Sequence, residues 1–358
     1  MLLSILTYKA FLALGVFALS LGIAAYSTYG ERKIAAFLQD RVGPDRAGPW
    51  GLLQPVADGI KMFTKEDFIP ADANKWLFIL GPCIAMLVAL MTGVVIPWMR
   101  PATLENGEIF HFQISDINIG ILYVFGIVSF GVYGIMIGGW ASNNKYSLMG
   151  TIRASSQMIS YELAMGLSIV ALVMTSGSLS MNKIVADQDA GFCNFVYQPL
   201  GFLIFIICSY AETNRAPFDL PETESELVGG YHTEHTSMKL GFYLFSEYIN
   251  MFISSAVMAT LYFGGFHFPF ENLVLEQFGE FWTRLIGFGA LMSKIIFFIF
   301  LFMWIRWTLP RFRYDQLMNL GWKTLLPLSI LNLVLTGIVI AIKEGWFTVE
   351  AFQKLFSF

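Results

Sequence analysis

The sequence predicts an all-α polytopic membrane protein: about eight transmembrane helices, an amphipathic helix on the cytoplasmic side, and both termini in the periplasm. Three observations predict it. The 358 residues are 56% hydrophobic and only 13% charged, about half the charge of an average soluble domain. Apolar runs of roughly 20 residues, enough to cross a bilayer, recur along the whole chain. Lysine and arginine, finally, concentrate in alternate connections, which sets sidedness. The net charge of −4 supplies no basic stripe for nucleic acid.

The spans fall at about 9–29, 76–98, 118–140, 153–177, 197–212, 239–264, 284–306 and 323–343 of a single membrane domain, 1–358. The first is longer than a signal peptide, lacks a basic start and runs into Glu31-Arg32-Lys33. The fifth is short and requires tilt or a thinner bilayer. Connections after spans one, three, five and seven hold Arg32, Lys33, Arg41, Arg46, Lys61, Lys65, Lys75, Lys145, Arg153, Arg215, Lys239, Arg306, Arg311, Arg313 and Lys323. The other side holds only Lys9, Arg100, Lys183, Arg284, Lys343 and Lys354. The positive side is cytoplasmic.

After the first span, GPDRAGPWG (43–51) is a turn-rich segment. Leu53, Val56, Ile60 and Phe63 then recur at helical spacing, opposite Gln54, Asp58, Lys61 and Lys65. This predicts an amphipathic helix over about 52–66, lying in the membrane interface or against neighbouring protein. No internal repeat is evident, which argues against a transporter of paired inverted halves.

Ionisable residues inside spans are costly and point to function. Glu162, Glu247 and Lys294 lie within spans and Glu212 ends the fifth. Burial and a neighbouring carboxylate both raise the proton affinity of an acid, and a coupled row titrates as a unit. Between spans five and six, AETNRAPFDLPETESELVGGYHTEH (211–235) gathers Glu212, Asp219, Glu222, Glu224, Glu226 and Glu234 around Arg215. Pro217 and Pro221 break helix there, and acids after Pro221 suit a helix start. Spacing leaves two readings open, a solvated acid-capped loop and a proton-handling funnel.

Other chemistries find no support. Cys83, Cys193 and Cys208 lie far apart without a C-x-x-C pair, so neither an iron–sulfur cluster nor a zinc site is expected. No nucleotide-binding glycine loop is present. His232 and His235 lack a third ligand, and no Ser-His-Asp set assembles.

The segments GERKIAAFLQDRVGPDRAGPWGLLQPVADGIKMFTKE, AETNRAPFDLPETESELVGGYHTEH and LPRFRYDQLMNLGWKTLLPLS resemble the H-subunit family of proton-translocating NADH:quinone oxidoreductase, respiratory complex I. The mitochondrial counterpart is NADH dehydrogenase subunit one. The resemblance runs from Glu31 to about Leu328. It implies a subunit that forms the membrane side of the quinone chamber and couples quinone reduction to proton translocation. It also implies an energy-transducing inner membrane, bacterial in preference to mitochondrial, with flavin and iron–sulfur clusters in peripheral partner subunits, antiporter-like subunits alongside, and no cofactor on this chain.

By the same resemblance, Glu31, Arg32, Asp58, Lys61 and Glu66 belong to the quinone-access region. Arg215, Asp219, Glu222, Glu224 and Glu226 belong to an acidic loop facing the chamber. Glu162, Glu212 and Glu247 form the membrane row, supported by Arg153 and Lys294, and the funnel becomes the favoured reading. Two positions depart from the family pattern: His235 stands where a Tyr is expected, and Trp307 where a small residue is usual. The alternatives are a related subunit of a proton-pumping hydrogenase and a stand-alone cation/proton transporter.

Overall fold

Backbone groups in lipid must bond within their own segment, so long apolar runs become helices. The computed structural model describes residues 2–103, 109–189, 192–220 and 227–344. Its helices of eight residues or more are α1 (Leu2–Leu38), α2 (Gln54–Thr64), α3 (Lys75–Thr92), α4 (Gly120–Ala141), α5 (Lys145–Ser176), α6 (Met181–Asp189), α7 (Pro199–Glu212), α8 (Ser237–Tyr262), α9 (Glu271–Thr308) and α10 (Tyr314–Lys343). Seven of these, α1, α3, α4, α5, α8, α9 and α10, are long and apolar enough to cross a membrane. The expected short fifth span is α7, whose 14 residues fall below that length.

Local chemistry sets the ends. Asn74 and Asn144 cap α3 and α5, their side-chain oxygens accepting from the amides of Leu77 and Tyr146. Gly177 closes α5 in the left-handed region at φ 64°. Besides α1, which begins at Leu2, three helices begin earlier than hydropathy predicts, α5 at Lys145, α9 at Glu271 and α10 at Tyr314. Their added turns are polar or, in α9, separated from the rest by a kink at Gly279. In α10 a π-helical turn over Leu320–Leu325 bridges the polar start and the apolar remainder. Between α5 and α7, Met181–Asp189 forms α6, and between α3 and α4, Ala102–Thr103 pairs with Ile109–Phe110 as a minimal antiparallel ladder.

At the centre stand α5 and α8. α8 packs on α1, α3 and α9, and α5 on α4, α7 and α10. α3 and α4 cross closely where Gly81 meets Gly138; a Cβ on Gly81 would come within 2.6 Å of the Gly138 Cα. The connections bond to each other in two separate groups. In one, Lys9 donates to the carbonyls of His111 (2.9 Å) and Gln113, Asn182 to Asp116, and Arg100 to Glu271. In the other, Asn144 donates to Glu234, and Lys239 pairs with Asp67. These groups coincide with the two sides assigned from charge.

Candidate functional site

Near the end of α1 the chain continues helical through Glu31, which is buried at 5% exposure. A lone carboxylate could not be accommodated there. One carboxylate oxygen of Glu31 accepts from Arg215 Nη1 at 2.8 Å and from the Tyr248 hydroxyl at 2.8 Å, the other from Arg306 Nη1 at 2.6 Å. The Arg215 guanidinium also lies 3.9 Å from the centre of the Tyr248 ring. Burial opposes its charge, but Tyr248, Glu31 and Glu247 outweigh that and hold the Arg215 pKa above the ordinary arginine value. Four segments distant in sequence are thus joined at one charge cluster, and Glu247 feels it.

Tyr248 also lines a cavity of about 160 Å³ between α1, α2 and α8, whose walls include Arg32, Asp58, Met62 and Phe245. A void near this size takes a single six-membered ring. At its rim Arg32 pairs with Asp58 at 2.7 Å. Lys61 lies 3.8 Å from the same carboxylate and is largely exposed, as is Glu66. α2 is held to α8 by Ser237, which donates to the Met62 carbonyl, and by Lys239, which bonds the Phe68 carbonyl and Asp67. Val56, Ile60 and Phe63 stay exposed.

Two smaller cavities lie deeper. One, about 30 Å³, is lined by Glu247, Tyr231, Tyr243, Ser246 and Asn214, and the other, about 40 Å³, by Thr92, Phe125, Met165 and Ser254. Each has room for water. Val128, Glu212, Thr213 and Asn250 line both. Glu247 accepts a hydrogen bond from the Tyr231 hydroxyl at 3.0 Å, and Glu162 accepts one from Ser129. Glu162 stands close enough to Glu212 for the two carboxyl groups to repel each other. The structure therefore brings Glu212 and Glu247 to these cavities, with Glu162 beside Glu212 but off both linings, and Arg215 links Glu247 to Glu31.

The turn after α7 is fixed from outside. Gln157 of α5 donates to the carbonyls of Ala211 (2.8 Å) and Phe218 (2.9 Å), and Arg311 pairs with Asp219 at 2.9 Å. Glu222, Glu224 and Glu226 lie outside the described residues. Arg153 sits near the Tyr314 ring at 5.8 Å. Lys294 lies elsewhere: its ammonium donates to the carbonyls of Phe263, Gly265 and His267 at 2.7–2.8 Å, and so closes the α8–α9 connection rather than facing the glutamates. His235, at the departure from the family pattern, is 3% exposed and stacks on Phe78 at 4.1 Å. Trp307 is partly exposed. Among the described residues no group of three His, Cys, Asp or Glu could hold a metal ion.

Sequence reading misses Arg306, Tyr248, Tyr231, Asn250 and Ser129. Arg306 counts there only as a flanking charge. Tyr248 and Asn250 adjoin Glu247 in SEYIN, and that adjacency was their only signal.

Comparison with known proteins decides the family. The NADH dehydrogenase family profile matches residues 11–337. A Cytophaga hutchinsonii protein, named as an H subunit of NADH-quinone oxidoreductase, is 63% identical over 330 residues, 92% of this chain and 95% of its own. The chain belongs to the H-subunit family of NADH-quinone oxidoreductase. The H subunit of the Flavobacterium johnsoniae enzyme is 59% identical over 93% of this chain and 95% of its own. A more distant member, NADH-quinone oxidoreductase subunit 8 of Rhodothermus marinus, is 45% identical over 94% and 98%. Family membership in an oxidoreductase supports the quinone-reductase reading and gives none to the hydrogenase or transporter alternatives.

Proposed function

We propose that this chain forms the membrane side of the quinone chamber and transmits the electrostatic effect of quinone reduction to a row of buried carboxylates that moves protons. The access route is the cavity between α1, α2 and α8. It adjoins the exposed apolar face of α2, which suits an isoprenoid tail arriving from lipid. Arg32 and Asp58 flank it, and Tyr248 joins its wall to Glu31. A change of charge in the chamber acts on Glu31 and Arg215, and through Arg215 on Glu247. Glu222, Glu224, Glu226 and Asp219 carry the same effect along the acidic loop.

Carboxyl groups suit this task because burial and neighbouring charge both shift their proton affinity, and coupled groups exchange protons as a set. Electrons reach the quinone from flavin and iron–sulfur clusters in peripheral subunits, and antiporter-like subunits continue the proton path. The chain itself carries no cofactor. Both termini face the periplasm of a bacterial inner membrane, a reading supported by the charge asymmetry and by bacterial relatives.

The observation that carries this reading is Glu212, a carboxylate on the walls of two water-sized cavities with Glu247 on one of them. The test is Glu212→Gln and Glu247→Gln in the assembled complex. Each variant is expected to retain its iron–sulfur clusters while proton pumping coupled to quinone reduction falls roughly 10²-fold, the lower range for a lost proton-transfer group. Wild-type pumping by both would end the carboxylate-row reading.

A further inference from the structure

We infer that Asn250 is a positioning residue that holds the water joining Glu247 to Glu212; this rests on the proton-coupling reading above. Four residues line both inner cavities, Val128, Glu212, Thr213 and Asn250, so they form the partition between the two. Val128 is apolar. The Thr213 hydroxyl is already committed to the Tyr210 carbonyl. Among the described residues, the Glu212 carboxylate and the Asn250 amide have no hydrogen bond to protein.

The remaining polar side chains around the cavities are engaged. Tyr243 donates to Gly134, Ser246 to the Tyr243 carbonyl, Thr92 to Ala89, and Ser254 pairs with Ser209. Asn214 is held between Gln157 and the Met158 sulfur.

An amide and a carboxylate without protein partners need water to satisfy them. Both cavities have room for it. Asn250 follows Glu247 by three residues on α8, so the two side chains share a helix face. An asparagine amide donates and accepts but does not titrate. It therefore orients a water toward either carboxyl group without taking the proton itself. In this arrangement the proton leaves one carboxyl group, crosses an oriented water and arrives at the other, with no net change at Asn250.

The test compares Asn250→Val with Asn250→Thr, side chains of one shape that differ in a methyl and a hydroxyl. Both are made in the assembled complex, reconstituted in proteoliposomes, with clusters and subunit content measured. With Asn250→Val, coupled kcat falls roughly tenfold or more at unchanged quinone KM, and the solvent deuterium isotope effect rises because proton delivery limits turnover. Asn250→Thr recovers most of the rate and the normal isotope effect. If Asn250→Val does not assemble, Asn250→Leu, closer in size to asparagine, replaces it under the same criteria. Wild-type kcat and isotope effect in the apolar variant would overturn the inference, as would equal impairment in the threonine variant. A parallel Glu212→Gln complex separates the two claims. If it is impaired while the apolar variant is not, only the Asn250 inference falls; if it pumps normally, the coupling reading falls with it.

Discussion

Glu31 is one carboxylate between two guanidinium groups and a phenol, with only 5% of its surface exposed. Breaking a buried ion cluster from one side leaves uncompensated charge and costs about 3–5 kcal/mol. Glu31→Gln is therefore expected to destabilise more than Tyr248→Phe. The latter removes one hydrogen bond to a charged group, about 1.5–3 kcal/mol, and keeps the ring beneath Arg215. Thermal denaturation of the purified complex checks that order. His235 supplies a pH dependence. Burial, with His232 next, pushes its pKa down from 6.5 to about 4. The neutral ring is favoured in the fold, so its stabilising contribution is complete above about pH 6.5 and is lost as pH falls toward 4. His235→Phe keeps an aromatic ring on Phe78 and should flatten that acid-side loss in a melting series between pH 7 and 4. Little of this was legible in the sequence. Glu31 and Arg215 stand 184 residues apart, and no local pattern announces a contact at that range.

Elements were far easier to read, because the hydrophobic period and the length of each apolar run report directly on a helix in lipid. What hydropathy could not give was where a helix stops when its last turns leave the apolar layer. The polar start of α5 at Lys145 and the polar start of α10 at Tyr314 are helical for reasons of capping and packing, not hydropathy. The α3–α4 crossing is likewise a matter of close approach. A Cβ on Gly138 would collide with the Tyr243 hydroxyl, which donates to Gly134 at 3.1 Å and whose ring lines the Glu247 cavity. Gly138→Ala must displace Tyr243 or part the helices, at about 1–3 kcal/mol by analogy with overpacked cores. Its effect should appear as lower thermal stability together with slower coupled turnover. Gly126→Ala on the same helix, with open space at its Cβ, should change neither. α2 offers a second check on elements. Lys239→Met removes its bonds to Asp67 and Phe68, so amide hydrogen exchange over 54–68 should quicken, by about tenfold for each 1.4 kcal/mol lost.

For the whole molecule the decisive quantity is sidedness, since a proton path has a direction only relative to the membrane. Charge in the connections assigns the side, and the two separate groups of mutually bonded connections agree with that division. The cysteines make it measurable. Cys193 is exposed, in the connection assigned to the periplasm, whereas Cys208 is buried and Cys83 is only partly exposed within α3. A membrane-impermeant maleimide added to intact spheroplasts is expected to label Cys193 and to leave Cys208 untouched. In a Cys193→Ser background, a cysteine in place of Arg41 should react only in inverted vesicles. Arg41 follows α1 on the positive side, so its reactivity reports the opposite face. Labelling of the Arg41→Cys position from outside, with Cys193 reactive only in inverted vesicles, would turn the molecule over. The acidic loop would then face the periplasm, and the proposed coupling of quinone reduction, by partner subunits on the cytoplasmic side, to Glu212 and Glu247 through Arg215 would fail.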